Sequence, residues 1–150
     1  MTKKNPLSLT RRSLPAEVRL SVKAGQDKKA EDIVVLDVRK LSSVTDYFVV
    51  CTGTSEPHLR AVVDEIIERL RAERGLRPRA IDGTLQTAWV VLDYFDVIVH
   101  VMRGDLRDRY DLEALWGDAP RVKGRSPAGT RRRVSVKRVP ANPAAEGEPA

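Results

Sequence analysis

Hydrophobic and polar positions alternate most clearly in two apolar runs, residues 89–92 and 97–102, separated by Asp93-Tyr94-Phe95-Asp96. Successive side chains of a strand point to opposite faces, so parity sorts each run. With Tyr94 and Phe95 as the two loop residues of a hairpin, Asp93 faces Asp96, Leu92 faces Val97, and Val91 faces Ile98. Val90 then faces Val99, and Trp89 faces His100. Val90, Leu92, Val97, Val99 and Val101 form an aliphatic face suited to burial under helices. Trp89, Val91, Asp93, Asp96, Ile98, His100 and Met102 form the other, whose composition is that of a surface that meets something. A slip of one residue exchanges the faces. Neither loop residue is Gly, Asn or Asp, the types that suit positive φ, so a longer loop taking in Asp93 and Asp96 with the same pairing stays open.

The remaining elements follow from similar patterns. Ser13 before Leu14-Pro15 marks a helix start, with Pro15 in the first turn where a missing N–H costs nothing. Leu14, Val18 and Val22 recur at helical spacing up to Gly25. Residues 33–38, apolar except for Asp37, read as an interior strand, and residues 46–52 as a second one after a Ser/Thr-rich turn. Ser55 or Thr54 caps the longest helix, with Glu56 and Pro57 in its first turn. Leu59, Val62, Val63, Ile66, Ile67 and Leu70 complete its apolar stripe, and Gly75 stops it. Residues 78–82 make a short strand and 83–88 a loop. Beyond Gly104, the positions of Leu106, Tyr110, Leu112, Leu115 and Trp116 predict one or two helical turns that fold back onto the sheet. The result is an α/β (α+β) fold: a mixed sheet of about five strands with helices packed on it.

Composition narrows the class. A chain of 150 residues, 41% hydrophobic and 32% charged, has the size and make-up of one soluble globular domain. No apolar run approaches the roughly 20 residues of a membrane span, and no signal-peptide core follows the N-terminus, so a cytoplasmic location is expected. A single cysteine, Cys51, excludes an internal disulfide framework and suits a reducing compartment.

The net charge of +6 conceals a division. Residues 26–120 carry 18 acidic and 13 basic side chains, a net of −5, whereas residues 1–25 and 121–150 are basic by +5 and +6. An acidic core with basic ends suits docking on a basic protein, with tails able to touch phosphate, better than gripping nucleic acid with the folded surface. Residues 1–13 are read as a flexible basic arm in preference to a transit peptide, because no amphipathic arginine pattern runs through them. The domain then spans 14–120. Residues 121–150, rich in Arg, Pro, Ala and Gly from Lys123 onward, are expected to form a disordered basic tail.

Candidate chemistry is sparse. The Thr52-Gly53-Thr54-Ser55 junction could offer free N–H groups to a phosphate, but it lacks the P-loop lysine and the dinucleotide glycine spacing, and a plain helix cap is the better reading. His58 is read as a local cap or contact residue, and Cys51 as structural. Nucleotidyl transfer needs two or three carboxylates holding Mg²⁺, commonly an Asp-x-Asp pair on a strand, and no expected strand carries one. An atypical metal site built from Asp46, Asp93 and Asp96 is the enzyme alternative. No basic stripe with interleaved aromatics marks the core as an RNA-binding module.

Several motifs agree in order and spacing with one family. Ser42-Ser43-Val44-Thr45-Asp46-Tyr47-Phe48, then Cys51-Thr52-Gly53-Thr54-Ser55 with His58, then Gly83 and Trp89 come first. Asp93, Asp96-Val97-Ile98-Val99-His100-Val101-Met102, Arg109-Tyr110-Asp111-Leu112-Glu113 and Leu115-Trp116 follow. Over roughly residues 15–120 the chain resembles the ribosomal silencing factor (Iojap-like) family, with the basic tail outside the resemblance. Phe95 departs from it, standing where the family usually has glycine in the hairpin turn.

The resemblance implies a nucleotidyltransferase-like topology without catalysis, and no cofactor or metal. It implies a translational repressor that binds large-subunit protein fourteen on the ribosomal large subunit and sterically blocks joining of the small subunit under nutrient limitation. The partner-binding residues are then Trp89, Asp93, Tyr94, Asp96, His100, Met102 and Tyr110. Tyr47, Phe48 and Tyr110 also suit the core. The basic tails could add contacts with ribosomal RNA, and an exposed apolar sheet face invites a homodimer.

Overall fold

A computed structural model describes residues 14–123. The chain runs through α1 (Ala16–Asp27), β1 (Glu31–Asp37), β2 (Tyr47–Gly53), α2 (Glu56–Arg74) and β3 (Ala80–Thr84). It continues through β4 (Trp89–Asp93), β5 (Val97–Arg103), α3 (Gly104–Tyr110), α4 (Leu112–Leu115) and β6 (Arg121–Lys123). The strands form one six-stranded sheet in the order β3-β4-β5-β2-β1-β6. Only β2 and β5 pair in parallel, and the connection between them contains α2. The expected α+β architecture is present, with one strand more than expected.

That extra strand corrects the domain boundary. Arg121–Lys123, expected in the tail, pairs antiparallel with β1, setting Val35 opposite Val122. Its brevity and two cationic residues hide it from a pattern reading, and only an available sheet edge reveals it. Ser13, the 1–13 arm and the tail beyond Lys123 lie outside the described residues.

The helices α1 and α2 cover one face of the sheet. Leu59, Val62, Ile66 and Leu70 of α2 meet Val49, Cys51, Val90, Leu92, Val97, Val99 and Val101 of the sheet in the main core. Complete burial of each Leu or Ile of that stripe contributes about 1.5–3 kcal/mol before chain entropy is counted. Local signals fix both ends of α2. The Ser55 hydroxyl accepts the His58 N–H, and Gly75 closes the helix with φ of 66°. At the same junction His58 Nδ1 accepts the Thr54 N–H at 2.9 Å, while Nε2 reaches the Lys28 carbonyl at 2.8 Å. His58 thus fastens the start of α2 to the end of α1. That bond lies just past Asp27, where α1 ends, rather than at Gly25 as the spacing predicts.

The β4–β5 hairpin keeps the expected faces but not the expected partners. Trp89 pairs with Met102, Val90 with Val101, Val91 with His100, Leu92 with Val99 and Asp93 with Ile98. The offset from the expected register is two residues, which preserves parity. Tyr94 N–H donates to the Val97 carbonyl at 2.9 Å, and Phe95 and Asp96 form the loop. Moving the turn one residue along lets the Tyr94 ring join the aliphatic core, where it is 9% exposed. Strand β3 also runs later than expected, through Gly83 with φ of 78° to Thr84. A Cβ on Gly83 would stand 2.0 Å from the Trp89 carbonyl oxygen, so this close approach requires glycine.

Candidate functional site

The second sheet face is built from alternate residues of adjoining strands. Parity and register bring Trp89, Val91 and Asp93 of β4 alongside Ile98, His100 and Met102 of β5, then Phe48, Val50 and Thr52 of β2. Gly104 ends β5, and α3 and α4 turn back across this face. The outcome is a row of rings. Tyr110 and Trp89 lie 5.1 Å apart, Trp89 and His100 6.0 Å, His100 and Phe48 5.3 Å, and Phe48 and Trp116 5.4 Å. Their tilted and edge-on geometries are those that aromatic quadrupoles favour.

Within the row, Trp89 Nε1–H donates to His100 Nδ1 at 3.1 Å. Because Nδ1 accepts, the neutral ring carries its hydrogen on Nε2. Burial pushes the imidazole down to about 4, so His100 is neutral at physiological pH. The pair is a packed hydrogen bond between uncharged rings.

Arg107 holds α3 and α4 in place. Its side chain is buried, with Nη1 donating to Thr52 Oγ1 at 2.9 Å and Nη2 to Glu113 Oε2 at 2.6 Å. Burial pushes the Glu113 carboxyl up, but the hydrogen bonds and charge of Arg107 outweigh it, and the net direction is down. Arg121 adds contacts from Nη2 to the carbonyls of Glu113 and Trp116. Together these contacts join β2, α3, α4 and β6.

The candidate residues divide by depth. Trp89 and Tyr110 border a groove of about 380 Å³, also lined by Gly83, Thr87, Val91 and Leu106. Tyr110 is 43% exposed and is the most open ring of the row. His100 (9% exposed) and Met102 (0%) are interior, because α3 and α4 cover the middle of the face. Tyr94 lies on the opposite, helix-covered face, so its expected place among surface residues is corrected by the shifted turn. Asp93 is half-buried and tied to Arg79, with Nε to Oδ2 at 3.2 Å. Asp96 is exposed in the turn, and its carbonyl accepts the N–H groups of Asp46 and Tyr47, both at 3.1 Å.

Sequence reasoning sends the turns carrying Leu106 and Trp116 back onto the sheet without naming the face, weighs Phe48 as core, and passes over Arg107. The spacing of Leu106 and Tyr110, four residues apart on one helix, could have placed both beside the groove. Nothing local links Arg107 to Thr52. As for chemistry, no group of three or more His, Cys, Asp or Glu side chains among the described residues is arranged to hold a metal ion, and this includes Asp46, Asp93 and Asp96. Buried Cys51 has its thiol pushed up to about 12, which suits packing. No helix among the described residues is long and apolar enough to cross a membrane.

Comparison with known proteins gives this arrangement a family. The family described as "Ribosomal silencing factor during starvation" matches residues 11–148, taking in the tail that the sequence resemblance leaves out. "Ribosomal silencing factor RsfS" of Halalkalibacterium halodurans is 41% identical over 106 residues, covering 71% of this chain and 90% of that protein. "Mitochondrial assembly of ribosomal large subunit protein 1" of Mus musculus is 30% identical over 105 residues, covering 67% of this chain and 45% of that one. A crystal structure of a Chromobacterium violaceum protein superposes with a TM-score of 0.64 at 34% identity, covering 77% of this chain and 91% of the other. A matching family across nearly the whole length, with a relative spanned almost end to end, is decisive: this chain belongs to the ribosomal silencing factor family.

Proposed function

We propose that the chain is a non-catalytic repressor of translation that binds the large ribosomal subunit through protein fourteen of that subunit and blocks joining of the small one. The observation that carries the reading is the Trp89–Tyr110 groove, a rigid aromatic border on an otherwise covered sheet face. Interface cores are enriched in such aromatics, and a few of them supply most of the binding energy. Membership of a silencing factor family supplies the class of activity, and the name of the mouse relative points to the large subunit. The net charge of −5 over residues 26–120 favours a basic partner and speeds encounter with it. A compartment that holds ribosomal subunits follows from this role, and the cytoplasm is the one proposed.

Within the candidate set, Trp89 and Tyr110 are the contact residues, Asp93 and Asp96 supply rim charge, and His100 and Met102 support Trp89 from beneath. Tyr94 is packing for the turn. Co-sedimentation of the intact chain with isolated large subunits, and separately with isolated small subunits, tests the reading. Binding to the large subunit alone is expected, weakening with salt because rim charges are screened over about 8–10 Å at physiological ionic strength. Binding to small subunits alone, or to neither, contradicts it.

A further inference from the structure

The cover over the aromatic face is held more by polar groups than by an apolar seam. Arg107 is the one buried side chain of α3, and α4 buries none. Leu106 and Trp116 supply the apolar contacts, and both are only half-buried. Beneath the cover, Val50, Thr52, His100 and Met102 are buried. Phe48 lies against Trp116 and Thr52 against Arg107, so Val50, between them on the same face of β2, is under the cover as well. What keeps water from this part of the sheet is chiefly the fork from Arg107 to Thr52 and Glu113. The segment is tied at both ends, to β5 and to β6 on the edge of β1, and crosses the face as a strap.

We propose that residues 104–117 lift from the sheet as a unit while the core stays folded, and that the Arg107–Glu113 pair is the latch of this strap. Closing takes both charges out of water and opening returns them, so the pair holds the strap with only a small net advantage. Proteins open locally where few apolar side chains are buried. On the opposite face, by contrast, the α2 stripe is buried against the sheet and opens only with the core. Lifting dismantles the groove. One wall, Gly83, Thr87, Trp89 and Val91, belongs to the sheet and the loop before β4, whereas Leu106 and Tyr110 belong to the strap. A partner seated there selects the closed form, so the latch sets the fraction of chains competent to dock, a step that rests on the large-subunit reading.

Thiol labelling of the free, intact chain by iodoacetamide compares two neighbours on opposite faces of β2. Cys51, in the main core with α1 and α2, is the one native cysteine, and Val50→Cys in a Cys51→Ala background reports the strap side. Labelling at position 50 should be on the order of a hundredfold faster than at Cys51, because local opening lies well below global unfolding. It should also depend only shallowly on urea, since lifting bares little surface, whereas Cys51 carries the full unfolding dependence. Glu113→Gln should speed labelling at position 50 about tenfold. Circular dichroism checks folding, and Thr52→Val, which withdraws the other acceptor of Arg107, stands in should Glu113→Gln not fold. Equal urea dependences at positions 50 and 51 overturn the proposal, because the face then opens only with the whole core. A rate at position 50 unmoved by both variants overturns it too, removing the latch. Saturating large subunits should slow labelling at position 50 by holding the strap closed. Co-sedimentation without that slowing overturns the tie between closure and docking. Failure of the chain to co-sediment counts against the docking reading alone, and labelling of the free chain still decides the strap.

Discussion

Trp89 Nε1–H donates to His100 Nδ1 at 3.1 Å, although the two are not opposite each other in the sheet: Trp89 pairs with Met102, and His100 with Val91. The bond runs diagonally across the hairpin from the half-buried Trp89, on which Tyr110 packs, so the exposed ring of the groove rests on a ring anchored to a buried neutral imidazole. Anything that charges His100 disturbs the floor of the site.

Acid should therefore weaken the protein through His100. Its pKa falls from 6.5 in the unfolded chain to about 4 when folded, so between those values the unfolded state binds more protons. The contribution is fully present above about pH 6.5 and is lost as pH drops towards 4, a fall of about 3 kcal/mol at most. Urea unfolding at a series of pH values should show that slope, and His100→Gln should remove it. An equal slope in the variant assigns the acid sensitivity to other groups.

The hairpin tip offers a cleaner test of backbone strain. Phe95→Gly and Phe95→Ala both delete the ring and its contact with Arg79, but only glycine tolerates φ of 80° without cost. The glycine variant should be more stable than the alanine variant by about 1 kcal/mol in denaturant unfolding. Equal stabilities would mean that the turn relaxes once the ring is gone.

Removing the guanidinium of Arg107 should be severe. Arg107→Met leaves the buried side of Glu113 without its cation and Thr52 Oγ1 without its donor, a loss of about 3 kcal/mol or more. Arg107→Lys should recover only part of it, since one ammonium cannot reproduce the fork. Thermal unfolding of the pair checks this, and a lysine variant as stable as the original contradicts the geometry.

The faces can be told apart by what fails. Val99→Ala removes buried methyl groups and should cost about 1–3 kcal/mol of stability, affecting binding only through the folded fraction, whereas Met102→Ala should cost about 2–5 kcal/mol and also loosen Trp89 above it. Tyr110→Ala removes a half-exposed ring packed on Trp89 and should cost only about 0.5–1.5 kcal/mol of stability while weakening large-subunit binding by about 2 kcal/mol. Binding unaffected by Tyr110→Ala removes that ring from the contact set.

These outcomes also show where reading the sequence stops. The stripe of α2 and its ends at Ser55 and Gly75 were legible because each is a local signal within a few residues. Alternation sorted Val90, Leu92, Val97 and Val99 from Trp89 and His100 correctly, since parity survives a shift of two. It could not fix the offset itself, which depended on burying Tyr94 and on a strained Phe95 in the turn. Burial of His100 and Met102 depended on α3 and α4, whose position is set by Arg107 reaching Thr52 across 55 residues of sequence. Composition read the face as a place of contact and missed that half of it lies beneath a cover.

The central claim is that the chain keeps the ribosomal subunits apart by occupying the large one. Light scattering of subunit association tests it most directly, with the protein added first to large subunits or first to small subunits. The account predicts that preincubation with large subunits lowers the joined fraction in proportion to protein added, and that Tyr110→Ala is needed at higher concentration for the same effect. Undiminished joining at concentrations where the protein co-sediments with large subunits would contradict it.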